Sequence, residues 1–280
     1  MRVHSSHVLH LPRRTEIASG EGWCISDIVC SAGPRDRPYE ESHTCPCIAI
    51  VAAGTFQYRS ARKPDLMVPG SILLGNAGDC FCCGHEHGTG DRCICFSYDS
   101  GWFERVVHEA GGNRTRFRAS SLPPIRATNP VAARVYTLLA PTARSRCEEL
   151  ALEVAVRVTQ VEAGMGSRDH AGAPGPLARV SRVIRTVEND LSMPADLVSL
   201  AHLARLSPYH FLRTFQVLTG TTPHQYLLRG RLRRAAVRLL SEKRKIAEIA
   251  LDCGFEDLSN FNRAFRSEFG MSPRLYRRAG

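Results

Sequence analysis

Cysteine and histidine side chains are concentrated in two short stretches of the N-terminal half, and these residue types bind soft metal ions or undergo thiol chemistry. In HTCPC, alternate positions place His43, Cys45 and Cys47 on one face of a β-strand. In CFCCGHEHGTGDRCIC, a hairpin with its turn in the glycine-rich middle would pair His85 with Cys93. That assumed register predicts a metal-binding set on one face, namely Cys83, His85, His87, Cys93 and Cys95.

Three interpretations of these side chains stay open. Thiolates beside imidazoles suit Zn²⁺ or Cu(I), although C-x-C-C followed by H-x-H is an irregular ligand spacing. Cysteine also packs as a small apolar core residue, and exposed thiols serve as redox switches. The sequence carries no nucleophile elbow, phosphate loop or paired-carboxylate motif, so it predicts no catalytic residue. Four isolated cysteines are predicted to be core residues: Cys24, Cys30, Cys147 and Cys253.

A second pattern is an internal repeat near the C-terminus. Six residues recur 50 positions later: Phe211, Arg213, Phe215, Gly220, Pro223 and Tyr226 become Phe261, Arg263, Phe265, Gly270, Pro273 and Tyr276. Each copy is predicted to be a short helix, a tight turn and a second helix, which is a helix-turn-helix unit. Within each second helix the two Phe at i and i+4 face the core, so the Arg between them is free to meet DNA.

One long helix from Pro223 to Ser241 is predicted to join the two units, and at 1.5 Å per residue it spans about 28 Å. Because one turn of B-DNA is about 34–36 Å, two recognition helices spaced in this way reach successive major grooves on one face of the duplex. The joining helix carries five arginines, of which at least two are predicted to contact phosphate or to pack against protein: Arg229, Arg231, Arg233, Arg234 and Arg238.

Charge is distributed unevenly along the 280 residues, whose formal net charge is +10. Residues 177–280 hold 18 Lys and Arg against 9 Asp and Glu, whereas residues 1–176 hold 19 against 18. A basic C-terminal third is the electrostatic footprint of a segment that neutralises phosphates. No secretory signal and no apolar run of about 18 residues is visible, so we expect a cytoplasmic protein with reduced thiols and no membrane contact.

The alternation of apolar runs and turns predicts β structure over residues 23–100, and helical spacing predicts a helical hairpin over residues 130–163. The fold class is therefore α+β with two domains. The predicted boundaries are 1–163 for the first domain, 164–176 for a Gly- and Pro-rich linker, and 177–280 for an all-α domain. An apolar stripe next to a polar face lies directly before the linker and is predicted to join two copies of the chain in a homodimer, the alternative being that it packs on its own domain: Leu150, Val154, Val158 and Val161.

The run GFEDLSNFNRAFRSEFGMSPRLYR resembles the C-terminal signature of the AraC/XylS transcription regulators, and LAHLARLSPYHFLRTFQVLTGTTPHQYL resembles their first helix-turn-helix. The resemblance implies a double helix-turn-helix domain that reads two adjacent major grooves of promoter DNA. It implies base-edge contacts from Tyr209, Leu212, Arg213, Leu258, Ser259, Asn262 and Arg263, with Ser207, His210 and Arg266 as further DNA-binding residues. For each of Arg213 and Arg263 the alternative is an ion pair with a carboxylate such as Glu256 or Asp257.

The β region, through its strand-turn pattern and VPGSILLG, resembles the cupin-like β-barrel sensor domains of the same family. The resemblance implies a regulator that responds to a small molecule, a metal or a redox signal, with RNA polymerase and a second copy of the chain as partners. Zinc or copper at the cysteine–histidine hairpin is the candidate cofactor. The alternative function is a cupin-type metalloprotein or metalloenzyme with a DNA-binding appendage, which would need converging metal ligands and an open substrate position.

Overall fold

A computed structural model describes residues 12–61, 64–85, 87–139, 147–165, 174–193 and 196–279. Within these ranges ten strands form two antiparallel sheets. The strands are β1 (Arg13–Gly20), β2 (Trp23–Cys30), β3 (Glu40–Ser42), β4 (Cys47–Gly54), β5 (Phe56–Ser60), β6 (Asp65–Met67), β7 (Ile72–Gly75), β8 (Cys80–Gly84), β9 (Asp91–Tyr98) and β10 (Ser121–Leu122). The larger sheet has the order β1-β2-β9-β4-β7-β10 and the smaller one β3-β8-β5-β6. The expected β region is confirmed, while closure of the sheets into a cupin-like barrel stays a prediction.

The larger sheet is buried on both faces, and strand β9 shows how the sequence achieves this. Ile94 and Phe96 point to a core shared with helices, whereas Cys93 and Cys95 point to the core on the side of the smaller sheet. Successive side chains of a strand alternate between its two faces, so the run CICF supplies one apolar surface to each side. The cysteines of β9 therefore lie between the two sheets.

Three helices cover the outer face of the larger sheet: α1 (Ser100–Glu109), α2 (Asn129–Thr137) and α3 (Cys147–Gly164). Helices α2 and α3 contact each other, in agreement with the predicted hairpin. The apolar stripe of α3 packs on its own domain, because Leu150, Val154 and Val158 are buried in the core beneath the sheet and Val161 packs against it. A homodimer formed through this stripe is therefore excluded, since its side chains are already covered.

Seven helices form the C-terminal region: α4 (Pro174–Asn189), α5 (Leu197–Ala204), α6 (Pro208–Thr219), α7 (Pro223–Ser241), α8 (Ile246–Asp252), α9 (Leu258–Phe269) and α10 (Pro273–Ala279). The predicted Ser-Pro and Thr-Pro starts are observed, with Ser207 and Thr222 as N-caps and proline in the first turn. Of the predicted linker, residues 166–173 lie outside the described residues. Positions 174–176 belong to α4, so the first C-terminal helix begins earlier than the predicted boundary.

The C-terminal helices pack directly against the N-terminal half. Val68, from the segment after β6, is buried in the same core as Phe211 and Phe215, and Ala133 of α2 is buried among residues of α7 and α9. The Arg233 side chain, which is 3% exposed, donates to Asn129 Oδ1 at 2.8 Å and to the Pro69 carbonyl at 3.3 Å. Both contacts join α7 to the N-terminal half.

Candidate functional site

Helices α6 and α9 are the second helices of two equivalent helix-turn-helix units. Each begins at a residue that caps it: the Ser207 hydroxyl accepts from the His210 amide, and Asp257 accepts from the amides of Ser259 and Asn260. Each ends at a glycine with positive φ, Gly220 at 70° and Gly270 at 75°. Side-chain caps and left-handed C-terminal glycines fix the same helix length in both units, which places equivalent residues on equivalent faces.

Aromatic pairs anchor both helices in the same way. Phe211 and Phe215 meet edge to face at 5.6 Å between ring centroids, and Phe261 and Phe265 lie 5.5 Å apart. All four rings are at most 2% exposed. The predicted division of each helix into a buried phenylalanine face and an outer face is thus confirmed, and the burial of two rings per helix holds the outer face in position.

Most of the predicted DNA-binding side chains lie on these outer faces. Those exposed to solvent are Ser207, Tyr209, His210, Arg213, Leu258, Ser259, Asn262, Arg263 and Arg266, and Leu212 is half-buried. Among the ion pairs of the described residues, none includes Arg213 or Arg263, so the alternative of an ion pair with Glu256 or Asp257 does not apply here. Arg263 donates to the Asn260 side chain at 3.3 Å. Both guanidinium groups are available for base or phosphate contact.

The turns between the paired helices differ by one residue. In the first unit Arg205 ends α5 in the left-handed region at φ 53°, the one non-glycine residue with positive φ in the described chain. In the second unit the C-cap Cys253 has φ −86°, and the following Gly254 takes the positive φ, 86°. The extra residue of the second turn thus places the positive φ on a glycine, in which a left-handed backbone costs less free energy than in arginine.

The arginines of α7 serve mainly as packing residues, as the sequence analysis allowed. Arg229 pairs with Glu268 at 3.5 Å, and Arg231 donates to the carbonyls of Leu191 and Met193. Arg238 binds Glu242 at 2.7 Å and Asp252 at 2.8 Å, Arg233 is buried, and Arg234 is exposed. The linking helix is therefore held to its neighbours through four of its five arginines, which sets the spacing of the two helix-turn-helix units.

A cavity of about 780 Å³ lies between the two sheets. Six of the eleven cysteines line it: Cys30, Cys45, Cys47, Cys83, Cys93 and Cys95. None of the six forms a disulfide with any described residue. Burial raises the pKa of the Cys83 and Cys93 thiols well above the ordinary value, so without a metal both stay protonated at neutral pH.

The predicted hairpin register is wrong. Strands β8 and β9 belong to different sheets, so Cys83 faces Tyr58 of β5 as its strand partner and Cys93 faces Ile28 of β2. The reason is that the glycine-rich segment crosses from one sheet to the other, a connection that sequence alternation does not reveal. Four of the five residues predicted to bind a metal nevertheless line the cavity, whereas His87 does not. The four are Cys83, His85, Cys93 and Cys95.

At one end of the cavity, Cys30, His85 and Asp91 place their donor atoms within 4.8 Å of one another. The His85 Nε2 to Asp91 Oδ2 distance is 2.5 Å. Burial lowers the pKa of His85, but hydrogen bonds with Asp91 and Cys30 and their charges outweigh burial and raise this pKa to about 9. Cys30 was predicted to be a core residue, and no sequence pattern identifies either Cys30 or Asp91 as part of this cluster. Only the cross-strand pairing of Cys30 with Asp91 brings these two residues together.

A second imidazole, His43, lies in the cavity wall together with its predicted companions Cys45 and Cys47. The three residues do not lie on one strand, since β4 begins only at Cys47. His43 Nε2 is 2.8 Å from the Tyr58 hydroxyl, and its Nδ1 is 3.2 Å from the sulfur of Cys47. Burial lowers the pKa of His43 to about 4, so its ring is neutral at pH 7.

Within the described ranges, no helix combines the length and the apolar character that a membrane span requires.

Comparison with known proteins gives matches to part of the chain. A family model described as a helix-turn-helix domain matches residues 200–279. The probable transcriptional regulator LumQ of Photobacterium leiognathi is 36% identical over 90 residues, which is 32% of this chain and 36% of LumQ. The regulatory protein SoxS of Salmonella typhimurium is 31% identical over 98 residues, 35% of this chain and 92% of SoxS. The DNA-binding domain of AdpA, solved with a target DNA, is 32% identical, with coverage of 36% and 91% and a TM-score of 0.35.

The paired helix-turn-helix units define the class of this protein, which is a helix-turn-helix DNA-binding protein. The chain belongs to the AraC/XylS family of transcription regulators, because it covers 92% of SoxS at 31% identity. It spans about a third of the length of LumQ and of the right origin-binding protein of Escherichia coli.

Proposed function

We propose that this chain is a sequence-specific transcription regulator in which α6 and α9 read successive major grooves of promoter DNA. The observation that carries this proposal is the equivalence of the two outer faces, each with an exposed arginine between two buried phenylalanines. A bidentate arginine–guanine contact in the major groove contributes about 1–3 kcal/mol of base discrimination. The leucines at positions 212 and 258 suit contact with thymine methyl groups.

The experiment is a comparison of DNA affinities at a fixed salt concentration. Arg213→Ala and Arg263→Ala should each weaken specific binding by about 1–3 kcal/mol, which is roughly 5- to 150-fold, without changing the thermal midpoint of unfolding. Arg105→Ala is the matched control, because Arg105 is an exposed arginine on α1 and its replacement removes the same charge outside α6 and α9. If both reader variants bind the selected site as the control does, α6 and α9 are not the recognition helices.

The β region is proposed to sense an effector in the cavity between its sheets. Its volume, about 780 Å³, falls in the range of small-molecule sites, roughly 300–1,000 Å³. Thiols and two imidazoles in the lining favour a soft ligand, either a metal ion or a thiol-reactive compound. RNA polymerase and a second copy of the chain are the remaining proposed partners. A homodimer would use a surface other than the stripe of α3, which is buried in its own domain.

A further inference from the structure

Three different ligand types converge where the chain crosses from the smaller sheet to the larger one. Cys30 ends β2, His85 follows β8 and Asp91 begins β9. The imidazole and carboxylate side chains are 4% and 7% exposed, and the donor atoms of all three residues lie within 4.8 Å of one another. No other group of three His, Cys, Asp or Glu residues in the described chain has this spacing.

The backbone holds these three residues in position without help from a ligand. Cys30 and Asp91 are directly opposite each other in the β2–β9 ladder, so their side chains share the cavity face. The connecting segment is closed by a bond from the Gly88 amide to the His85 carbonyl at 3.2 Å. It is tied to the neighbouring loop by a bond from the Gly90 amide to the Ala32 carbonyl at 2.8 Å. The site is therefore preorganised, which reduces the entropy lost on binding.

We propose that Cys30, His85 and Asp91 bind a zinc ion. One thiolate, one neutral imidazole and one carboxylate are all ligands that Zn²⁺ accepts, and together they carry the two negative charges that balance the ion. Zinc–ligand distances near 2.0 Å require the His85 and Asp91 donor atoms to move apart from 2.5 Å to about 3.3 Å. Cysteine, histidine and carboxylate side chains bind metal in their deprotonated forms, so zinc binding should weaken as the pH falls.

All three residues line the cavity between the sheets. The Cys93 sulfur, on the same face of β9, lies 3.5 Å from the Asp91 Oδ1 atom and offers an additional thiol donor. Three protein ligands with a fourth position toward a cavity form an open site, which a water, Cys93 or an incoming soft ligand completes. The zinc site and the proposed effector cavity are thus parts of one compartment.

The same segment touches the DNA-binding region, and this contact connects metal binding to regulation. The Arg185 guanidinium of α4 packs on Gly88 so closely that a Cβ at that glycine would lie 2.0 Å from Cζ. Two nitrogens of Arg185, Nε and Nη2, are buried without a hydrogen-bond partner among the described residues. Helix α4 packs on the first helix-turn-helix unit, since Val183 and Ile184 share a core with Phe211. Zinc binding would move the His85 and Asp91 donor atoms apart by about 0.8 Å. Through Gly88 and Arg185 this displacement would reach α4 and shift the first helix-turn-helix unit.

The first experiment measures metal binding alone, in the full chain after removal of metals by a chelator. Cobalt(II) is the probe, because a cobalt–thiolate bond absorbs light and zinc can displace the ion. We expect one cobalt per chain with a thiolate absorption band, bleached by zinc. Cys30→Ser, His85→Gln and Asp91→Asn should each weaken binding at least about tenfold, while Cys80→Ser, at an exposed cysteine outside the cavity lining, binds as the parent does.

A parent protein that binds no cobalt, or a Cys30→Ser variant that binds it as tightly as the parent with the same absorption band, overturns the proposed site. Thermal unfolding of every variant without metal separates loss of ligands from loss of fold. Asp91→Asn supplies the second check, because the amide keeps the shape of the side chain and removes only its charge.

The second experiment measures DNA affinity with and without zinc, and this part rests on the proposed function. Zinc should change the affinity of the parent by about 5- to 150-fold, and the change should disappear in Cys30→Ser. Gly88→Ala should keep cobalt binding but reduce the effect of zinc on DNA, because the added methyl group displaces Arg185. Unchanged DNA affinity in a protein that binds zinc overturns the coupling. Absence of DNA binding in both states contradicts the proposed function and leaves the zinc site supported by the cobalt spectrum.

Discussion

Replacement of Arg233 by methionine should weaken the full chain more than replacement of any other arginine of α7. Its guanidinium is buried between the two halves of the molecule, where it donates to Asn129 Oδ1 and to the Pro69 carbonyl and lies 5.7 Å from the Tyr136 ring centroid. Burial raises the pKa of the neighbouring Glu188 carboxyl, and the charge of Arg233 opposes that rise. The arginine therefore supports both the domain contact and a buried carboxylate.

The magnitude follows from these contacts. Each of the two hydrogen bonds from a charged donor contributes about 1.5–3 kcal/mol, and the regained hydration of the guanidinium offsets part of the loss. Methionine fills most of the volume, so the packing loss is small, but it leaves two acceptors without their donor and removes one of the cations near the Glu188 carboxylate. We expect Arg233→Met to lower the free energy of unfolding by about 3 kcal/mol.

Urea unfolding of the full chain, followed by tryptophan fluorescence, measures the effect, since Trp23 is buried in the sheet core. Arg234→Met is the matched control at an exposed neighbouring position and should change the free energy by less than about 0.5 kcal/mol. Adding Glu188→Gln to Arg233→Met should recover part of the loss, because the uncompensated carboxylate is then absent. An Arg233→Met variant as stable as the control would refute the reasoning.

Three further predictions follow from single features of the structure. Arg205→Gly should raise the free energy of unfolding by about 0.5–1 kcal/mol, because glycine accepts the φ of 53°, and Arg205→Ala should give no gain in the same urea titration. As the pH falls from 6.5 to 4, the free energy of unfolding should fall further in the parent than in His43→Gln. In that pH range His43 binds a proton in the unfolded chain but not in the folded one, and equal pH profiles of urea unfolding would contradict this. A fragment that begins at Pro174 should bind DNA with an affinity that falls steeply with salt, and salt-independent binding would show that phosphates are not contacted.

The C-terminal region was predictable because its signals are local. A capping residue, a proline in the first turn, a phenylalanine pair and a terminal glycine each act within one helix, and the repeat presents the same set twice. The half-buried position of Leu212 and the packing roles of the α7 arginines were not specified by that pattern, since they depend on neighbouring elements. The left-handed turn at Arg205 has no signal of its own, because arginine is an ordinary residue elsewhere.

The cavity was predictable in composition but not in arrangement. The concentration of cysteine and histidine identified the residues of the wall. The pairing of strands depends on the whole sheet, however, so nothing in the sequence brings together Cys30 and Asp91, which lie 61 positions apart. The stripe of α3 was ambiguous for the same reason. Its spacing indicates an apolar face, and only the tertiary structure identifies the larger sheet as the surface that covers it.

The central claim, that α6 and α9 read two successive major grooves, is tested most directly by hydroxyl-radical footprinting of the full chain on its selected DNA site. The parent should protect two segments on one face of the duplex, about one helical turn apart. Arg213→Ala should weaken protection of one segment, Arg263→Ala should weaken protection of the other, and Arg105→Ala should leave both unchanged. A single protected segment, or loss of the same segment in both reader variants, would contradict the account.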